Sequence, residues 1–208
     1  MNNAGIVAPG PFDGGETAAI ERVMRVNLHG AYALCRAAWP HLTASGGGRI
    51  VNVSSSAALG SGISGPYAVS KAGVIGLTKE AALAGAPHGL RVNAVMPSAW
   101  TSMLERHPDP EFRDWMRTHF AAERVAPVVA FLASAACDLS GEILTAGGGR
   151  VSRVAFVESE GVVHESLSPE DVQADLTLIM DLSGAAPVKD QGDHQAAYAR
   201  AFPGYPLG

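Results

Sequence analysis

Three short β-branched runs, each opened by a glycine and separated by helix-length spans, limit most strongly how this chain can fold. They are "GRIVNVSS" at Gly48–Ser55, "GLRVNAVMP" at Gly89–Pro97 and "GEILTAGGG" at Gly141–Gly149. Each reads as a buried strand, with the second ended by Pro97, and strands that alternate with helical text favour a parallel α/β sheet. Between them the spacing predicts helices over 17–42, 67–84 and 127–136, and a more polar helix or flap over 109–123. The composition changes after Arg150, which divides the chain into residues 1–150 and an extension, 151–208. In the extension, "VSRVAFVESEGVVHES" is expected to form a two-stranded ribbon. The following "SPEDVQADLTLIMDL" is expected to be an amphipathic helix, opened by Ser168 as N-cap, Pro169 at N1 and Asp171 at N3.

Composition removes several classes of function. A net charge of −5 with no cluster of Lys and Arg gives no reason to expect a nucleic-acid partner. No Cys/His group has metal-ligand spacing, so no metal site is expected. Cys35 and Cys137 sit in apolar helical text and read as buried free thiols of a reducing compartment. There is no signal-peptide pattern, and "VAPVVAFLASAAC" falls short of the roughly 18 residues of a membrane span. The expected location is cytoplasmic, with no membrane partner.

The stretch "GSGISGPYAVSK", Gly60–Lys71, offers two chemistries. Gly60, Gly62 and Gly65 match G-x-G-x-x-G, yet a phosphate loop must follow a strand directly and open a helix. Here Ser54–Leu59 intervenes, and about 20 residues on there is only Glu80, inside a helix. The glycines read instead as a close-fitting loop beside a substrate, and the triplets Gly46–Gly48 and Gly147–Gly149 as turns at strand ends. Tyr67 and Lys71 are four residues apart and share a helix face. An ammonium beside a phenol favours the phenolate, the form that exchanges a proton with an alcohol or ketone.

Together with "NNAG" at Asn2–Gly5, "RVNLHGAY" around Asn27, "GRIVNVSS", "YAVSKAGVIGLTKEAA", "APHGLRVNAVMP" and "LSGEILTAGGG", the text resembles the short-chain dehydrogenase/reductase family. The resemblance covers nearly the whole chain and implies a Rossmann-like, doubly wound parallel sheet. It implies NAD or NADP as cofactor and a small-molecule substrate, with Tyr67 exchanging the proton and Ser55 orienting the reacting oxygen. Lys71 would assist Tyr67 and hold the nicotinamide ribose, and Asn27 would position a water. Ser54 is the alternative to Ser55, and Ser56 is expected to cap the turn. Asn3, Ala4, Gly5, Pro97 and Thr101, with Tyr67 and Lys71, would line the cofactor. Ser98 stands where the family usually has Gly.

In the family, the TGxxxGxG loop and the first βα units precede the segment that Asn2 resembles. Two to three such units, each of roughly 30 residues, are absent from this chain. The expectation is therefore a sheet of about three full strands, with an open apolar edge on the "RIVNV" strand. On this reading the chain is a fragment with a misplaced start codon or a degenerate relative, and the choice between NAD and NADP lies outside it. The extension and "VMPSAWTSM" resemble the (3R)-hydroxyacyl-CoA dehydrogenase branch, which implies a 3-hydroxyacyl thioester or another secondary alcohol. The alternative is a dimerising scaffold that has lost its cofactor. A hydrolase fits less well, since there is no G-x-S-x-G elbow. Ala33, Ala37, Ala68 and Ala72 suit close helix packing in a homo-oligomer.

Overall fold

The computed structural model describes residues 1–8, 12–105 and 107–202. They form two compact units, Met1–Val154 and Ala155–Gly208. In the first unit, β1 (Arg49–Val53), β2 (Arg91–Pro97) and β3 (Ile143–Gly147) run parallel in that order, and β4 (Arg150–Val154) returns antiparallel beside β3. The three runs read from sequence are thus the three parallel strands. Ile50 lies opposite Val92, and Ala94 opposite Ile143.

The period of two along each strand sends alternate side chains to opposite faces. Ile50 and Val92 pack with Cys35, Ala81 and Ala82, while Ala94, Met96 and Ile143 pack with Ile75. These partners belong to α2 (Gly30–Ala44) and α3 (Gly65–Gly85). Val51, Val53, Val95 and Ala146 point the other way, onto Val128 and Leu132 of α5 (Ala126–Ala133). Helices therefore cover both faces, which makes the sheet doubly wound. Cys35 and Cys137 are buried free thiols, as expected.

Two mid-strand asparagines, each fully buried, are satisfied by specific partners. On β1, Asn52 donates to Thr78 Oγ1 of α3 at 2.9 Å and accepts from Asn2 Nδ2 at 2.8 Å. On β2, Asn93 donates to the Leu139 carbonyl at 2.7 Å and accepts from the Glu142 N–H at 3.0 Å, which fixes the chain entering β3. At the outer edge of β1, Asn2 makes one parallel bridge, donating to Val51 O at 2.9 Å and accepting from Val53 N at 3.0 Å. The expected open edge is thus met at one point by the chain's own start.

The predicted helix over 17–42 is a continuous helical run, but not a uniform one. It comprises α1 (Thr17–Met24), a π-helical segment at Arg25–His29, and α2. The flap helix is α4 (Pro110–His119), N-capped by Asp109, which accepts from the Glu111 and Phe112 N–H groups.

The extension departs from its expected form. Residues 151–154 complete β4 and belong to the first unit, and β5 (Phe156–Glu158) pairs with β6 (Ala186–Val188). The expected local ribbon is absent because β4 pairs back onto the preceding β3, while β5 pairs with the distant β6. The Ser168 cap is present as a reciprocal capping box with Asp171. Beyond it the helix breaks at Asp175 into α6 (Pro169–Ala174) and α7 (Leu176–Ile179). The second unit ends in α8 (Gln191–Ala201), capped by Asp190.

Asn93→Ala strands the Leu139 carbonyl and the Glu142 N–H together. The expected loss is about 2–3 kcal/mol of unfolding free energy, read as a lower urea midpoint at unchanged slope.

Candidate active site

α3 brings Tyr67 and Lys71 onto one face, as their spacing predicts. Pro66 suits the first turn, where its missing N–H costs nothing. Lys71 is only 3% exposed, and its Nζ donates to the Val53 carbonyl at the end of β1 at 2.8 Å. The same Nζ lies 5.7 Å from the centre of the Tyr67 ring. Burial pushes the Lys71 ammonium below its ordinary value of 10.5.

The serine cluster separates into distinct roles. Ser54 is 1% exposed and its Oγ donates to the Lys71 carbonyl at 2.8 Å, so it ties β1 to α3. Ser55 is half-buried and extended, and its Oγ accepts from the Ala57 N–H at 3.2 Å. The turn cap is therefore Ser55, not the exposed Ser56, because the helical turn Ser56–Leu59 starts one residue earlier than expected. Accepting at Oγ leaves the Ser55 hydroxyl hydrogen for another oxygen. Among the described residues, no hydrogen bond joins Ser55 directly to Tyr67.

Asn27 is 2% exposed and lies within the π-helical segment. Its Oδ1 accepts from the Ile6 N–H at 2.8 Å, and its Nδ2 donates to the Ile6 carbonyl at 2.9 Å and to Ser70 Oγ at 2.9 Å. Ser70 in turn donates to the Tyr67 carbonyl at 2.7 Å. Asn27 thereby locks the chain after "NNAG" and links it to the helix turn that carries Tyr67. The π widening fits the tendency of such segments to occur at functional sites.

Gly5 sits over this group. A Cβ there would stand 3.3 Å from Lys71 Nζ and 3.5 Å from Asn27 Oδ1, so the space above the ammonium depends on a missing side chain. Asn3 and Ala4 are exposed beside it. Cys35, which accepts from Asn2 Nδ2 at 3.2 Å, has its thiol pushed up by burial.

In the glycine loop Gly60 and Gly62 adopt φ of +100° and +72°, a backbone conformation that favours glycine. Gly65 opens α3.

Pro97 ends β2 opposite Ala146, and Thr101 is exposed in the turn that follows. Ser98 donates its N–H to Ala146 O at 2.8 Å, and its carbonyl lies where a Cβ on Gly147 would collide. From Ser98 a cleft of about 490 Å³ opens, walled by Trp115, His119 and Phe120 on one side and Thr145, Arg150 and the Gly147–Gly148 turn on the other, with Arg124 at its border. Tyr67, Lys71, Ser55 and Asn27 do not line it. Sequence reasoning missed Ser70, whose place between Tyr67 and Lys71 was visible in "YAVSK". It also missed His119, Arg124 and Arg150, for which no local signal existed.

The buried cation gives the site a pH signature. Because the folded-state value of Lys71 is lowered, the folded chain releases this proton before the unfolded chain does. Stability is therefore gained as pH rises through the lowered value, and the gain is complete above 10.5. Lys71→Met should abolish that increment. Urea unfolding of both proteins between neutral and alkaline pH should show the parent gaining on the variant as pH rises.

Three comparisons bear on this geometry. The model of the short chain dehydrogenase family matches residues 1–110. A Mycobacterium tuberculosis protein, classed by name as a short-chain type dehydrogenase/reductase, is 36% identical over 187 residues, covering 89% of this chain and 64% of its own length. The peroxisomal hydratase-dehydrogenase-epimerase of Saccharomyces cerevisiae is 31% identical over 193 residues, covering 88% of this chain and 21% of its own. The full-length peroxisomal multifunctional enzyme type 2 of Drosophila melanogaster shares the fold with a TM-score of 0.86 at 23% identity, covering 96% of this chain and 37% of its own. The chain thus spans less than two thirds of the length of these relatives. With the family's motifs in order along a doubly wound sheet, and its model matched over more than half of the residues, the chain belongs to the short-chain dehydrogenases.

Proposed function

We propose that this chain carries the proton-transfer machinery of a nicotinamide-dependent oxidoreductase that interconverts a secondary alcohol and a ketone. The observation that carries this reading is the buried Lys71 ammonium, anchored on Val53 O and held 5.7 Å from the Tyr67 ring. A cation fixed beside a phenol is the arrangement that proton exchange with an alcohol or ketone calls for. In the oxidative direction Tyr67 accepts the hydroxyl proton of the alcohol, and in the reductive direction it returns a proton to the carbonyl oxygen. Ser55 offers its free O–H to that oxygen. Asn27 and Ser70 hold the Tyr67 turn in place.

The residues present fit the nicotinamide half of NAD or NADP. Gly5 leaves open the space that a Cβ would fill above Lys71 Nζ, and that ammonium, with Val53 O as acceptor, keeps donor capacity for hydroxyls. When bound, the nicotinamide supplies the hydride acceptor or donor. Lys71 and Tyr67 would hold its ribose, and Asn3, Ala4, Gly5, Pro97 and Thr101 would border the ring and carboxamide. A 3-hydroxyacyl thioester is the substrate we favour, supported by the likeness to the yeast hydratase-dehydrogenase-epimerase over 88% of this chain.

A second reading is a dimerising scaffold without cofactor. The two readings separate in a titration of the whole chain with NADH and NADPH. Saturable binding at micromolar concentration supports the enzyme, whereas a folded protein with no binding supports the scaffold. The helix faces that carry Ala33, Ala37 and Ala72 are exposed, together with Tyr32 and Leu34 of α2 and Val69 of α3. They fit a homo-oligomer, which light scattering would detect as a mass above that of one chain.

Tyr67→Phe removes the proton carrier and keeps the ring. With a secondary-alcohol substrate, kcat/KM should fall by roughly 10²–10⁴-fold while the circular dichroism spectrum is unchanged. Wild-type turnover in that variant would sink the assignment.

A further inference from the structure

The cleft between α4 and the β3–β4 turn has a character that the proton chemistry does not use. Its basic residues are Arg124, Arg150 and His119, and no carboxylate is among the residues that line it. Among the described residues, neither arginine forms a salt bridge. Two unpaired guanidinium groups bordering one cavity, in a chain of net charge −5, are a local reversal of sign. The opposite wall is aromatic. Trp115 packs against Phe120 with ring centres 5.1 Å apart and against His119 at 5.5 Å, and it remains 51% exposed.

The floor is rigid. Gly148, at φ +60°, leaves room that a Cβ would take from the Phe120 ring, and Phe120 O accepts the Trp100 N–H at 2.6 Å. Arg150 is positioned by donating to Ser152 Oγ at 2.8 Å, which uses part of its five-donor fork and leaves the rest for a ligand. At about 490 Å³ the cavity has the size of a small-molecule site.

We infer that this cleft binds an amphipathic oxyanion, an acyl or aryl body lying on Trp115 and Phe120 and ending in a carboxylate or phosphate held by Arg124 and Arg150. Its rim begins at Ser98, next to Pro97. Its role as the anchor for an acidic end of the substrate rests on the oxidoreductase reading, but binding itself does not. The chemistry is that of charge-assisted hydrogen bonds, which are roughly twice as strong as neutral ones and favour Arg for planar oxyanions.

The test is isothermal titration of the whole chain, without cofactor, using octanoate, octyl phosphate and 1-octanol as probes. The two anions should bind at least about tenfold more tightly than the alcohol, and added salt should narrow the gap. Arg124→Gln and Arg150→Gln should each weaken the anions and leave octanol unchanged, whereas Trp115→Ala should weaken all three. Tighter binding of octyl phosphate would mark a phosphate as the natural end group, and tighter binding of octanoate a carboxylate.

Equal affinity for octanol and the anions, or arginine variants that bind the anions like the parent, would overturn the inference. Arg150 also supports the hairpin through Ser152, so Arg124→Gln decides the matter if Arg150→Gln unfolds. Tyr67→Phe should bind the probes like the parent. Failure of the redox reading and failure of the anion cleft are therefore seen in different experiments.

Discussion

A single charged hydrogen bond, from Lys71 Nζ to the last carbonyl of β1, organises this molecule. Removing an ammonium from water is costly, and one neutral carbonyl does not offset that cost. The fold accepts it because the surrounding contacts leave the side chain no other position. Ser54 clamps the Lys71 carbonyl, Val53 O accepts from the amine, and the helix is seated on β1 through Asn52 and Thr78. The same burial that weakens the charged state fixes the nitrogen 5.7 Å from the centre of the Tyr67 ring. Stability and the placing of a cation are thus in tension at one nitrogen.

Polar groups placed inside the sheet define where its parts meet. An entirely apolar β1 and β2 would tolerate small shifts of the helices above them. Asn52 and Asn93 do not, because each has specific partners at fixed distances, and a slip would leave buried amides unpaired. Asn2 belongs to this system. It supplies a backbone bridge to β1, a side-chain bond to Asn52 and a donor to Cys35, and so places the Asn3–Gly5 segment beside Lys71.

Much of this was legible in the sequence. The three parallel strands, the helix through Tyr67 and Lys71, the Ser168 cap and the buried cysteines follow from local pattern. The match of the family's motifs supplied Asn27 and Ser55. What was not legible depended on which strand each segment would pair with. Nothing in "VSRVAFVESEG" says that Val151 will face Ala146 and Phe156 will face Val188. The break at Asp175 is invisible in an apolar spacing that continues through it. That Ser54 spends its hydroxyl on the Lys71 carbonyl was not legible either, since the bond forms only once α3 lies on β1.

The direction of the strands explains why Ser55, the end of β2 and the cleft share one edge. β1, β2 and β3 are parallel, so Ser54 and Ser55, Pro97 and Ser98, and Gly147 all emerge at their carboxyl ends, where ligands of open α/β sheets bind. β4 runs the other way, and its contribution to that edge is therefore its first residue, Arg150, paired with Gly147. One antiparallel strand lets a residue that follows the last parallel strand return to the same end of the sheet. A chain ending at Arg150 would keep this guanidinium but lose the Thr145–Ser152 and Glu142–Arg153 contacts that hold its strand in register. The strand beyond Arg150 thus belongs to the first unit for a physical reason, since without it the Arg150 side of the cleft has no fixed position.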